Sequence, residues 1–299
     1  MPEAGRKWPD KSGGEKRMTS PSILMKAWNL HPKKQLGQNF LADPNTARAI
    51  VDKTGVAAED VVLEIGAGLG ALTRPIAEKA RQVIAVERDH RLVSLLKTEL
   101  TAAGRGNVTV VEKDILKLDI PSLAASVKKD LIVMGNVPYN ISSQILVRVI
   151  KARGCVKKAA LMFQRELADR IMAGPGSKTY GRLSVMVQYC AMVEVLMEVR
   201  AALFYPRPTI DSLVLGFEFK SDLALTANDE SFFFNVIKAA FSKRRKTLRN
   251  SLAGFIPGFD HQAAAAALET VGIDPVRRAE TLTVDEFVRL GNFIYAEYR

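Results

Sequence analysis

Cysteine and histidine are scarce in this 299-residue chain, with two of the first and three of the second. Cys155 and Cys190 lie in separate apolar stretches, and His31, His90 and His261 are scattered along the chain. That leaves no disulfide framework and no zinc-type constellation, so no metal ligand is assigned and both thiols read as reduced core residues. Long apolar runs are missing as well. None approaches the roughly 18 residues of a membrane span, and the amino end lacks the apolar stretch of a secretory signal. These absences exclude membrane-embedded and disulfide-stapled secreted classes, and a cytoplasmic location is expected. Internal repeats are absent too.

What remains is an ordinary globular composition, 47% hydrophobic and 25% charged, long enough for a large domain and a smaller one. Its charge is lopsided: 43 Lys and Arg against 32 Asp and Glu leave a formal net charge of +11. Such a surplus favours a polyanionic partner, because each neutralised phosphate releases condensed counterions. A basic enzyme without such a partner would show the same number, so charge alone does not choose. Residues 1–30 mix Gly, Ser, Pro and Lys without an apolar period, and a disordered basic tail is expected there.

From Lys33 the pattern becomes regular. Asp43-Pro44 supplies an N-cap and a first-turn proline, and Gly55 ends the helix that follows. Short β-branched runs at 61–65, 83–86, 108–111 and 131–134 read as strands, with helices over 70–79 and 91–100. That alternation predicts a parallel, doubly wound α/β sheet, which later runs at 159–163, 193–199 and 213–219 extend to seven strands. After Lys220 only helical patterns appear, at 232–241, 245–255, 262–268 and 285–295. The expected division is a Rossmann-like domain over 31–221 and a small all-helical domain over 222–299.

The first strand runs into Gly66-Ala67-Gly68-Leu69-Gly70-Ala71, where glycines let the backbone turn tightly and approach a ligand. Glu87 closes the second strand, where a carboxylate can accept both hydroxyls of an adenosine ribose. This much also fits a dinucleotide dehydrogenase, since Gly66, Gly68 and Ala71 satisfy G-x-G-x-x-G/A. Asp114 ends the third strand, either as acceptor for an adenine amino group or as a helix N-cap. No candidate for hydride chemistry follows. Instead Asn136-Val137-Pro138-Tyr139 follows the fourth strand, at the carboxyl edge where open α/β sheets bind ligands. An aromatic amine is a poor nucleophile because its lone pair is delocalised into the ring. The Asn136 amide oxygen and the carbonyl before Pro138 can accept both of its hydrogens, favouring a pyramidal nitrogen, while Tyr139 can stack on the flipped-out base. An ordinary Asn-x-Pro turn is the plainer alternative.

In this order the motifs resemble those of the KsgA-type adenine dimethyltransferases of small-subunit ribosomal RNA. The likeness runs from about His31 to the carboxyl terminus. Lys34-Gln35-Leu36-Gly37-Gln38-Asn39-Phe40-Leu41 is similar to the family's opening motif, and the segments 63–68 and 135–142 to its cofactor and target motifs. Gly176–Val185, Phe204–Ser212 and Arg244–Asn250 follow its pattern as well. The resemblance implies an S-adenosylmethionine-dependent methyltransferase. Its cofactor contacts would be Gln38, Asn39, Leu41, Gly66, Gly68, Glu87, Arg88, Asp114, Ile115 and Asn136. Asn136, Pro138 and Tyr139 would surround the target amine, with Phe204 on the other face of the adenine. The implied reaction adds methyl groups to N6 of two adjacent adenines in a small-subunit rRNA hairpin loop, on an assembling particle, by a monomer. Val137 replaces a frequent leucine, and Thr209-Ile210 a frequent Lys-Val. Two rivals stay open: a large-subunit adenine methyltransferase of the macrolide-resistance type, and an RNA-binding assembly factor without catalysis.

Between Ser231 and Phe259 there are six basic residues and no acidic one. A helix over 241–255 would gather Phe241, Leu248, Leu252 and Phe255 on one stripe and turn Lys243, Lys246 and Arg249 outward. Lys243, Arg244, Arg245, Lys246 and Arg249 are therefore the RNA-contact candidates. Phe232-Phe233-Phe234 reads as core.

Overall fold

A computed structural model describes residues 20–298. The first nineteen residues of the expected tail lie outside that range. The part that lies inside departs from expectation. Pro21–Ala27 is a helix, α1, with the Ser20 hydroxyl at its N-cap and Pro21 in its first turn. Met25 and the following Leu30 are buried against Phe40, Leu69, Leu92 and Leu95. Seven residues show too little periodicity to be read, and it is this tertiary contact that orders them.

Strands β1 (Phe40–Leu41), β2 (Val61–Ile65), β3 (Gln82–Glu87), β4 (Val108–Glu112), β5 (Leu131–Asn136), β6 (Val156–Gln164), β7 (Ala191–Val199), β8 (Phe204–Tyr205) and β9 (Ser212–Phe219) follow in chain order. Between them lie α2 (Pro44–Thr54), α3 (Thr73–Lys79), α4 (His90–Ala102), α5 (Ile120–Val127), α6 (Ser142–Lys151), α7 (Arg165–Met172) and α8 (Arg182–Cys190). Seven strands form one sheet in the order β4-β3-β2-β5-β6-β9-β7. The five from β4 to β6 are mutually parallel, as expected, and β9 runs antiparallel to both its neighbours. The all-parallel expectation fails there for a simple reason. Residues 200–211 contain only a 3-10 turn and β8, with no crossover helix to carry the chain back. The Asp43 cap, Pro44 and the left-handed Gly55 bound α2 as the sequence predicts.

Every residue of β2 is buried, because helices cover both faces of the sheet. Val62, Val83, Ile132 and Met134 pack with α2, α3 and α4, whereas Leu63, Ile65, Val133 and Leu161 face α6 and α8. The second core continues without a break into the helices beyond residue 221: α9 (Glu230–Ala240), α10 (Leu248–Leu252), α11 (His261–Thr270) and α12 (Val284–Tyr298). Phe232, Phe233 and Phe234 are all buried, and Tyr189 of α8 packs at a tilt against Phe233, 4.8 Å between ring centres. The arrangement is a Rossmann-like α/β fold with a helical carboxyl-terminal region.

The expected helix over 241–255 does not form. α9 stops at Ala240, residues 241–247 make a turn, and a short α10 follows. Backbone N–H groups of Leu248 and Arg249 donate to Arg277 and Pro275 carbonyls, partners outside any such helix. The stripe was right about burial only: Leu248 and Leu252 are buried, and Phe241 and Phe255 pack beside them.

Candidate active site

The two loops singled out separately by the sequence meet at the carboxyl edge of the sheet. Gly66 is left-handed, at φ 74°, and a Cβ there would lie 3.4 Å from the Asn136 carbonyl oxygen and 3.6 Å from Pro138 Cδ. At Gly135 a Cβ would come within 2.4 Å of the Ile65 carbonyl oxygen, so β2 and β5 could not approach as they do. Gly66 and Ala67 N–H groups both donate to the Val86 carbonyl, which pins the turn to β3.

Glu87 is held by the same turn. One carboxylate oxygen accepts from Gly68 N at 2.9 Å, and the other from Arg88 N and Asp89 N, each at 2.8 Å. Burial pushes its carboxyl above the usual range, against these three donors, which favour the charged form. Glu64, one strand over, is fully buried, and burial reinforced by the Glu87 charge pushes it up to about 8. Its Oε2 has no hydrogen-bond partner. Asp114 is an N-cap, one of the two roles its position allowed: Oδ1 accepts from Leu116 N of the following 3-10 turn, while Oδ2 lies 3.4 Å from the exposed Arg88 guanidinium.

On the target side, Asn136 Nδ2 donates to the Asn39 carbonyl at 2.8 Å. That bond fixes the amide so that Oδ1 is the end left to accept from a ligand. The Pro138 carbonyl accepts from Ile141 N, and the Tyr139 carbonyl from the Ser142 hydroxyl. Tyr139 Oη and the fully buried Ser212 Oγ are 2.9 Å apart, which sets the ring's orientation. Gln38 accepts from Lys33 N and donates to Asp89, tying the opening motif to the end of β3. Burial works against the charge of Asp89, but bonds from Arg91, Lys33 and Gln38 hold its carboxyl below the ordinary value.

All ten residues assigned to the cofactor, Asn136 among them, line one cleft with Pro138 and Tyr139, a cleft of about 1030 Å³, part of it open to solvent. Its lining, close-approaching glycine backbone beside the strand-end carboxylates Glu87 and Asp114, is the chemistry of a nucleoside site. Phe204 does not line it. It is 4% exposed, in the two-stranded ladder where β8 pairs with β1, and packs with the core beside Leu41. The basic candidates stand apart from the cleft, exposed on and after the 241–247 turn; Arg244 donates to the Lys178 carbonyl and Lys243 to that of Asn250. Sequence reasoning gave no role to Ser212, Asp89 or Glu64. A buried acid inside an apolar strand, Val-Val-Leu-Glu-Ile, was the available signal for Glu64.

The ribosomal RNA adenine dimethylase family matches residues 29–296. Among curated proteins, the ribosomal RNA small subunit methyltransferase A of Desulforapulum autotrophicum is 50% identical, over 93% of this chain and 98% of that protein. The protein of the same name from Bacillus cereus is 41% identical, over 87% and 90%. Of solved structures, a dimethyladenosine transferase from Plasmodium falciparum superposes with a TM-score of 0.71 at 28% identity, covering 84% of this chain and 95% of that one. The 23S rRNA methyltransferase ErmE follows with a TM-score of 0.63 at 26% identity, over 86% and 99%. The motifs, the cleft they build and these likenesses agree: the chain belongs to the ribosomal RNA adenine dimethylase family.

Proposed function

We propose that the protein transfers methyl groups from S-adenosylmethionine to N6 of two adjacent adenines in a hairpin loop of small-subunit rRNA, on an assembling particle. The observation that carries the reading is the fixed Asn136 amide at the rim of the cofactor cleft. The cleft suits this cofactor. Glu87 can accept the ribose hydroxyls on lone pairs its three N–H donors leave, and the partnerless Glu64 Oε2 suits a cationic donor group. Bound there, the cofactor would supply an electrophilic methyl on a sulfonium, open to attack at carbon by the amine nitrogen, with the sulfur leaving as a neutral thioether.

The chain's own part is positioning. Asn136 Oδ1 and the Val137 carbonyl accept the two hydrogens of the amine, which localises its lone pair. Tyr139, steadied by Ser212, offers a face for the base. The developing positive charge on nitrogen is then stabilised by oriented dipoles rather than by water, and the excess proton leaves to solvent. The exposed cations at 243–246 and 249 serve as phosphate contacts, and residues 222–299 act as the RNA-docking domain. Phe204 reaches the adenine only if base entry shifts β8. No helix among the described residues is long and apolar enough to cross a membrane; the reading places the protein in the cytoplasm, as a monomer.

Asn136→Ala tests this: methyl transfer to unmethylated small particles should fall at least about a hundredfold, while cofactor affinity weakens only moderately. Full activity in that variant would remove the mechanism. Similarity to a 23S rRNA enzyme makes the large particle the second substrate to assay, and preference for it would reassign the target.

A further inference from the structure

A second depression adjoins the cleft and shares the Gly37–Asn39 segment with it. Pro32 and that segment form one wall; Tyr205 and Arg207 stand on the other. Its geometry follows from the β1–β8 ladder. Phe40 pairs with Tyr205 and Leu41 with Phe204, so alternation buries Phe204 and turns Tyr205 outward at 40% exposure. Arg207 is exposed and forms no ion pair among the described residues, and no acidic side chain lines the depression. Asn39 belongs to both sites: it lines the groove and the cleft, and its carbonyl holds the Asn136 amide.

We propose that this groove binds the nucleotide next to the target adenine, with its base stacked on Tyr205 and its phosphate against Arg207. The inference rests on the adenine-methylation reading. An exposed aromatic face beside an unpaired guanidinium is the chemistry of single-stranded nucleic acid recognition. The groove also lies where the chain must run once its neighbour enters the cleft. A strongly anionic ligand would find a single cation, Arg207, among the described residues that line the groove. Holding the adjacent nucleotide would keep a two-adenine loop splayed, so that either base can be presented in turn.

The test uses an unmethylated small particle and a synthetic RNA hairpin with two loop adenines, 2-aminopurine replacing the base on each side of the target in turn. Tyr205→Ala should weaken hairpin binding about tenfold and relieve the quenching of 2-aminopurine at one flank. Tyr205→Phe should behave as the wild type, and the cofactor dissociation constant should move less than about twofold. Arg207→Ala should flatten the plot of log affinity against log salt by about 0.7, the value of one single-strand phosphate. That variant alters an exposed side chain and reads the groove even if Tyr205→Ala unfolds. Unchanged RNA affinity and salt slope in both variants overturn the proposal. So does a loss of cofactor affinity as large as the loss of RNA affinity, which would make the groove a mouth of the cofactor cleft. A wild-type chain that methylates neither particle, yet loses hairpin affinity on Tyr205→Ala, would sink the methylation reading and keep the groove.

Discussion

The strand-end site and the basic turn after α9 are built in opposite ways. Around Gly66, Gly135 and Asn136 nearly every polar contact uses the backbone, so positions are set by the sheet itself. Around Lys243–Arg249 the backbone is anchored to the 275–277 loop, and the cations project with few partners. Chemistry that must align a lone pair needs the first design. A polyanion read through its phosphates needs only charge within a few ångströms, and long flexible side chains supply that.

The contrast predicts that damage at the first region removes turnover and damage at the second removes affinity. Asn136→Ala is the largest expected effect, mainly on transfer, with a moderate loss of cofactor affinity. The opposing variant carries Lys243, Arg245, Lys246 and Arg249 all changed to alanine, sparing Arg244, whose bond to Lys178 is structural. It should lower the salt slope of rRNA binding by about 3 units and raise the particle KM by at least about tenfold, with turnover at saturation and cofactor affinity unchanged. A quadruple variant that binds rRNA like the wild type would make the turn an ordinary solvated face and end the comparison.

The same difference explains what could be read from sequence. Strand β2, its glycine turn, Glu87 and Asn136 were legible, because a buried parallel strand is a continuous apolar run and a backbone-defined site needs particular residues at particular places. The capped helix α2 was legible for the same reason: Asp43, Pro44 and Gly55 each do one local job. The β1–β8 ladder was not. Two residues per strand carry no period, and the pairing partners lie far apart in sequence. The break at 241–247 left no Gly or Pro as a mark; tertiary bonds to 275–277 decided it. The reversed β9 was hidden because strand direction depends on the connection, not on the strand's own residues. Phe204 was assigned to the target by resemblance, and only the ladder's alternation shows that its neighbour Tyr205 is the exposed ring.

Within the strand-end site, Glu64 sharpens the comparison because its burial opposes stability. Its carboxyl titrates near 8 in the folded protein against an ordinary 4.5. The folded-state pKa is raised, so the associated stability is complete below about 4.5 and declines as pH rises through 8. The full difference amounts to at most about 5 kcal/mol. Glu64→Gln keeps the shape and removes the titration. It should melt several degrees above the wild type at pH 9 without cofactor, and with it at pH 4. Cofactor binding should respond the other way. Wild-type affinity should tighten as pH rises through about 8, with proton release in calorimetry, whereas the variant should bind more weakly and without that dependence. Identical pH profiles for the two proteins would show that Glu64 stays neutral with the cofactor bound.

The smallest effect tests whether side-chain tethers matter once the backbone has set the site. Ser212 is fully buried at the start of β9, and its hydroxyl is the partner of Tyr139 Oη. Ser212→Ala removes that partner, and a hydrogen bond of this kind is worth about 1 kcal/mol net. The expected loss is severalfold in turnover, with cofactor affinity and melting temperature nearly unchanged. If the bond does no more than orient the ring, Tyr139→Phe should cost about the same, and the double variant should be no worse than either single one. Additive losses would mean that the phenol and Ser212 act separately. A Tyr139→Ala variant falling far below both would place the effect in the ring's face. The backbone-set loop would then still depend on one aromatic surface, which the sequence singled out, and on one buried serine, which it passed over.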